Sequence, residues 1–203
     1  ERYRELGLTS YRQLQSHFIK EIGEFLASKG KKMAMWNESI TAGGADLDMM
    51  RETGATVYCW TPCQASAKKA AEMGLPNVVT EYSNGYYINR KQSDAPGEPG
   101  AAGSGKDNLE MTFRYVPVPE SVPANQRHHY KGVQGTFWTE HVCDINYVDY
   151  LAYPRLIAIA ETGWSPLEKP GFDDFLRRFR HEAGILQMRG FNFGKHYLPR
   201  ESK

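Results

Sequence analysis

The sequence predicts an α/β fold built from parallel βα units, and three observations carry that expectation. Four short β-rich runs, at 33–36, 55–60, 77–82 and 132–138, alternate with stretches of helical periodicity, the pattern of βα units around a parallel sheet. The composition, 40% hydrophobic and 24% charged over 203 residues, is that of one sizeable globular domain or a piece of a larger one. The runs also leave through distinctive sequences: WNE at 36–38, WTP at 60–62, YSNGYYIN at 82–89 and WTE at 138–140.

Taken in order, residues 10–29 place Leu14, Phe18, Ile22 and Phe25 or Leu26 on one helical face. Ser10 with Gln13 forms a capping-box signature, and Gly30 supplies the stop. The apolar run MAMW at 33–36 is the first strand, followed by a Gly-rich turn and a short helical segment near 46–51. ATVYCW at 55–60 is the second strand; QASAKKAAEM is a strong helix former ended by Gly74 and Pro76. NVVTEY at 77–82 is the third. Residues 83–107 then break the rhythm with a Gly-, Pro-, Ser- and Ala-rich stretch, a loop length that in compact domains is usually functional or disordered. A short helix near 108–115 and a Pro-punctuated stretch lead to the fourth strand, so a long flexible loop is expected over about 83–123. Asp144 caps the next helix, whose apolar positions run through Val148, Leu151, Leu156, Ile157 and Ile159, with a kink at Pro154. An amphipathic helix over 172–188 carries Phe172, Phe175, Leu176 and Phe179.

Charge and patterning exclude several classes. With 25 basic and 24 acidic residues there is no electrostatic footprint for nucleic acid or an anionic membrane. No apolar run approaches the ~20 residues of a membrane span, and ERYRELGLTS at the start has no signal-peptide core. Cys59, Cys63 and Cys143 lack paired or zinc-type spacing and read as free, buried thiols. The six histidines lack metal spacing, and His128-His129 reads as a solvated turn, so neither a metal nor a cofactor is expected.

In parallel α/β folds ligands bind at the carboxyl ends of the strands. Three strands releasing a Trp there, and one a Tyr cluster, point to a shared pocket in which aromatic faces meet hydrogen-bonding groups. That combination suits flat, hydroxyl-rich ligands such as sugars.

GKKMAMWNE resembles the fifth strand of the catalytic domain of family 20 glycoside hydrolases, the β-N-acetylhexosaminidases, where Trp-Asp-Glu is usual. GVQGTFWTE with YVDYLAYPRLIAIAETGWSP resembles the eighth strand and helix of that domain. The resemblance covers nearly the whole chain. It implies strands five to eight, the second half, of a TIM (β/α)8 barrel, so that 1–203 is a partial catalytic domain of an enzyme removing terminal β-linked N-acetylhexosamine. The mechanism it implies is substrate-assisted: the 2-acetamido oxygen attacks the anomeric carbon, an exception to the two-carboxylate scheme.

Carried over by resemblance, Trp36, Trp60 and Trp138 wall the pocket, and Tyr87 donates its hydroxyl to the acetamido oxygen, with Tyr82 and Tyr86 as rival phenols. Glu140 accepts hydrogen bonds from the sugar 4- and 6-hydroxyls. Asn89 stands at the Asp position of the family's Tyr-x-Asp step, an amide in place of a charge. Arg155 and Glu161 read as structural, and Trp164 as packing the helix end. The family's His-x-Gly-Gly-Asp-Glu motif is missing: no Asp-Glu dipeptide occurs in the chain. The expectation is therefore the sugar-binding half of a glycosidase, inactive alone, its parent secreted or periplasmic. It would either dimerise as two half-barrels or require the missing N-terminal half. Two other readings are a retaining barrel glycosidase using Glu38 and Glu140 with carboxyls ~5 Å apart, and a carbohydrate-binding fragment without catalysis.

Overall fold

A computed structural model describes residues 2–41, 46–100 and 105–198. The Gly-rich turn at 42–45 and residues 101–104 of the long loop lie outside these. Two compact units are present: the chain up to Thr80 with Pro117–Gly132, and Glu81–Val116 with the chain from Val133 onward. The described strands form a four-stranded sheet in the order β1-β2-β3-β4, with β1 Ala34–Trp36, β2 Thr56–Cys59, β3 Asn77–Val79 and β4 Tyr130–Val133. β1 pairs with β2 and β2 with β3 in parallel, setting Trp36 opposite Tyr58 and Cys59 opposite Val79.

The first unit opens with α1 (Arg2–Glu5) and the long α2 (Tyr11–Ser28). The predicted cap is in place: the Gln13 N–H donates to Ser10 Oγ at 3.3 Å, and Gln13 Oε1 accepts the Thr9 N–H at 2.6 Å. These bonds satisfy donors that a first helical turn leaves open. Gly30, at φ +66°, ends the helix. Its apolar face is not covered: Tyr11, Phe18, Ile22 and Phe25 are exposed, Phe18 at 62%, whereas Gly23 is the buried contact, lying against Met33 and Met49. After α3 (Glu38–Thr41) and α4 (Leu47–Glu52), which is capped by Asp46, α5 (Cys63–Glu72) lays Cys63, Ala67, Ala70 and Ala71 into a core shared with Val57, Cys59 and Val79. These small side chains let the helix approach the sheet closely, and burial of this row holds it there.

The second unit contains α6 (Leu109–Arg114), α7 (Ile145–Ala152), α8 (Arg155–Trp164) and α9 (Phe172–Met188). Phe172, Phe175 and Phe179 of α9 pack with Leu109, Phe113, Ala158 and Phe193. A second cluster joins Tyr86 and Ile88 to Leu151, Ala152 and Ile159. Pro154 does more than kink: it separates α7 from α8, because its ring leaves no N–H for the helical ladder. The predicted strand 132–138 survives as β4, ending at Val133, and as a single parallel bridge from Thr136 to Tyr87. Between them Gly135 is in close contact: a Cβ there would lie 3.0 Å from Ile159 Cδ1. The third strand likewise stops at Val79, short of the predicted 82.

Two expectations fail on helical geometry or local bonding. Trp164 does not pack the helix end but is 92% exposed. Arg155, Ala158 and Ile159 are the buried residues of α8, and the 3.6-residue period places 156, 160 and 164 on the opposite face. Cys143 is exposed, its thiol donating to Asp144 Oδ2 at 3.3 Å, and only Cys59 and Cys63 are buried.

Gly85 occupies the left-handed region at φ +77°, and a Cβ there would fall 1.8 Å from Thr112 Oγ1. Gly85→Ala is therefore expected to cost about 3 kcal/mol, combining backbone strain with overpacking, measured as a lowered midpoint in urea unfolding at unchanged slope.

Candidate active site

In the first unit the exits of β1 and β2 meet. Trp36, 38% exposed, ends β1 and stands edge-on to Tyr58 with centroids 6.1 Å apart. The next residue, Asn37, is buried and works on both strands. Its N–H donates to the Tyr58 carbonyl at 3.0 Å. Its Oδ1 accepts the Trp60 N–H at 2.9 Å, and its Nδ2 donates to the Thr61 carbonyl at 3.1 Å. Glu38 is exposed and accepts the Trp60 indole N–H at 2.6 Å. Beneath, the Cys63 thiol donates to the Cys59 carbonyl at 2.8 Å. Burial, reinforced by the charges of Cys63 and Glu38, pushes the Cys59 thiol up to about 12, so it is a packing group and no nucleophile.

In the second unit the strand-like segment 86–89 lies beside Thr136: the Ile88 N–H donates to the Thr136 carbonyl at 2.8 Å, and the Thr136 N–H to the Tyr86 carbonyl at 2.7 Å. The period of two then sorts the tyrosines. Tyr86 faces the core, fully buried and edge-on to Tyr115. Tyr87 faces the other way and stacks on Tyr82, with centroids 5.0 Å apart and planes at 19°. The Arg90 guanidinium lies 5.8 Å from the Tyr82 ring centre and is anchored by the buried Asp107 at 2.8 Å. Burial first, then the charges of Tyr82 and Glu140, holds the Tyr87 phenol above its usual range, with Arg90 opposing. At neutral pH the phenol is therefore a hydrogen-bond donor.

Asn89, fully buried, is committed to Trp138: its Oδ1 accepts the Trp138 N–H at 2.8 Å and its Nδ2 donates to the Trp138 carbonyl at 2.7 Å. The indole itself is 45% exposed, and Glu140, also exposed, follows in the turn Thr139–His141. Each unit thus gathers its own predicted residues: Trp36 and Trp60 in the first, Tyr87, Asn89, Trp138 and Glu140 in the second. The asparagine is where the structure redirects the expectation. Its side-chain amide holds the Trp138 backbone at both its N–H and its carbonyl.

Other polar residues had no local signal in the sequence. Glu98, inside the Gly/Pro-rich stretch, is buried and accepts hydrogen bonds from Ser93 Oγ at 2.6 Å and the Tyr150 hydroxyl at 3.0 Å, with His196 Nε2 at 3.4 Å. Burial, then Glu98, raises the Tyr150 phenol. Arg155 and Glu161, read as structural, are so: Arg155 is fully buried, and Glu161 pairs with Arg178 at 2.6 Å. His128 and His129 lie in an exposed-to-half-buried 3-10 turn, Ala124–His129. Among the described residues no group of three or more His, Cys, Asp or Glu could hold a metal.

Residues 1–167 match the model of glycosyl hydrolase family 20, catalytic domain. The beta-hexosaminidase of Porphyromonas gingivalis is 36% identical over 193 residues, covering 95% of this chain and 24% of that protein. The beta-hexosaminidase of Vibrio furnissii is 33% identical over 162 residues, covering 78% of this chain and 25% of that protein. A solved GH20 exo-beta-N-acetylglucosaminidase from Vibrio harveyi, in complex with N-acetylglucosamine, superposes with a TM-score of 0.81 at 28% identity, covering 95% of this chain and 29% of that one. The chain thus spans about a quarter of the length of these relatives.

Two outcomes are expected. Asn89→Ala, which removes both arms of the Trp138 clamp, should lower stability by about 2 kcal/mol in chemical denaturation, at about 1 kcal/mol per hydrogen bond. Glu140→Gln should bring the Tyr87 titration down toward the ordinary tyrosine range of about 10, because one negative neighbour is gone; ring-carbon NMR shifts followed against pH would show this.

Proposed function

Since the chain belongs to glycosyl hydrolase family 20, we propose that it supplies the sugar-binding part of a β-N-acetylhexosaminidase that hydrolyses terminal β-linked N-acetylhexosamine. The observation that carries this reading is the second-unit cluster: a protonated Tyr87 phenol, the half-exposed Trp138 indole and the Glu140 carboxylate within one stretch of fold. A phenol donor suits an acetamide oxygen, an indole face suits the apolar side of a pyranose, and a carboxylate suits its hydroxyls.

In the substrate-assisted scheme the sugar's own acetamide is the nucleophile. The residues of this chain then bind and orient. Tyr87 donates to the acetamido oxygen and holds it toward the anomeric carbon, an entropic contribution to the barrel chemistry. Trp36 and Trp60 offer aromatic faces in the first unit and Trp138 in the second, and Glu140 grips the 4- and 6-hydroxyls. The general acid that protonates the leaving oxygen, and its Asp neighbour, belong to residues outside this chain, which has no Asp-Glu dipeptide. We take the four strands as the fifth to eighth of a (β/α)8 barrel and the parent enzyme as secreted or periplasmic.

The exposed apolar residues of α2, and Leu156 and Trp164 on α8, support the view that the chain does not stand alone. Exposed apolar surface of this kind calls for a partner, met here by the remaining half of the domain or by a second copy.

With a chromogenic N-acetyl-β-glucosaminide, the 203-residue chain alone should show no turnover, while N-acetylglucosamine should alter its tryptophan fluorescence. Tyr87→Phe should weaken that response by about tenfold, the value of one good hydrogen bond. Turnover that survives repurification would place the acid inside these residues, and a fluorescence signal indifferent to the sugar would remove the binding reading. Light scattering should report more than a monomer for the isolated chain; a well-behaved monomer at high concentration would exclude pairing of two half-barrels.

A further inference from the structure

Glu38 stands at the exit of β1 with an exposed carboxylate, the place where a catalytic acid or nucleophile would be sought, yet its Oε1 lies 2.6 Å from Trp60 Nε1. An indole N–H is a donor only and points in one direction in the ring plane. A bond this short to a carboxylate is of the charge-assisted class, and it selects one of the two flips that the tryptophan side chain otherwise has available. The preceding residue secures the same tryptophan from below. Asn37 Oδ1 takes the Trp60 N–H at 2.9 Å, and Asn37 Nδ2 reaches the Thr61 carbonyl at 3.1 Å.

Backbone nitrogen, following carbonyl and ring nitrogen together define where the half-exposed ring lies. The dipeptide Asn37-Glu38 thus meets Trp60 at two points and the following Thr61 at a third, across 22 to 24 residues of sequence. We infer that Glu38 is a positioning residue for the Trp60 indole, acting with Asn37 to fix the ring in the plane it presents to a sugar. The sugar part of this inference rests on the family reading above; the positioning part does not. A ring fixed before the ligand arrives loses no further rotamer freedom on binding, and this is what a half-exposed stacking surface requires. The second unit repeats the backbone half of the device, Asn89 on Trp138. Glu38 is therefore assigned to orientation, in place of the retaining pair with Glu140.

The test uses the indole itself. The chain has four tryptophans, so its proton–nitrogen correlation spectrum holds four indole signals, and Trp60→Phe identifies the one concerned. In Glu38→Ala the Trp60 signal should move upfield and broaden while the other three stay. In Glu38→Gln, whose amide oxygen accepts the same bond, it should stay near its original place. Titrated with N-acetylglucosamine, Glu38→Ala should bind about tenfold more weakly and Glu38→Gln within about threefold of the starting chain. A Trp60 signal unmoved in Glu38→Ala, or equally displaced in Glu38→Gln, overturns the positioning role. A signal that moves as expected in a chain indifferent to N-acetylglucosamine upholds positioning and overturns the sugar reading instead.

Discussion

The second unit is organised around one buried cation. Arg155 is fully inaccessible, yet its guanidinium reaches two elements: Nη2 donates to the Ile88 carbonyl at 2.5 Å and to the Leu151 carbonyl at 2.7 Å. It thereby closes the end of α7 and grips the segment that carries Tyr87 and Asn89. Burial pulls its pKa down to about 10, opposed by the charges of Asp107 and Glu98, so it remains charged at neutral pH. A buried charge persists only where opposite charge and hydrogen bonds offset its desolvation. Those two carboxylates supply the charge and, in turn, tie down the loop. Asp107 accepts the Gly85 N–H at 2.9 Å and pairs with Arg90, while Glu98 takes Ser93 and Tyr150. Removing the arginine would leave Asp107 to Arg90 alone and would free the Ile88 and Leu151 carbonyls that its guanidinium now holds.

The asparagines do at short range what the arginine does at long range. Asn37 and Asn89 occupy comparable places, each just past a residue at the end of an extended segment, and each closes a donor–acceptor pair on a neighbouring backbone. An amide suits this work because it carries both a donor and an acceptor without charge. A carboxylate at position 89 could take the Trp138 N–H but would face the Trp138 carbonyl with a second acceptor. The amide at position 89 therefore matches both backbone groups of Trp138, and its side chain is committed to them.

What was legible in the sequence followed from local chemistry. Ser10, Asp46 and Asp144 cap the helices they precede, Gly30 and Gly74 end theirs, and α9 matches its predicted span at both ends. The tyrosines of 82–87 were less legible: three stand as rivals in the sequence, and it is the pairing with Thr136 that turns Tyr86 to the core and Tyr87 outward. Strand ends were less legible too, because they depend on which partner lies alongside: Thr136 bridges to Tyr87, and the preceding Gly135 lies close against Ile159. The clamps were not legible at all. Asn89 and Trp138 are 49 residues apart, and nothing near either marks the pairing. Glu98 sits in a stretch whose composition reads as loop, although its carboxylate is buried with four polar neighbours.

Helix faces give the sharpest contrast between the two ends of the chain. On α9 the apolar stripe predicted by periodicity is buried, against Leu109, Phe113 and Phe193. On α2 an equally regular stripe is exposed, and the helix touches its own unit through Gly23. Periodicity reports that a face is to be covered; it does not report by what. Both helices obey the same rule, and they differ in where the covering residues lie. For α9 they lie within this chain. A face of aromatic and aliphatic residues like that of α2 is costly to leave in water, and this chain spans 24% of the length of one family relative and 34% of another. Periodicity therefore predicts the buried face of α9 and, on α2, marks a face that its own unit leaves exposed.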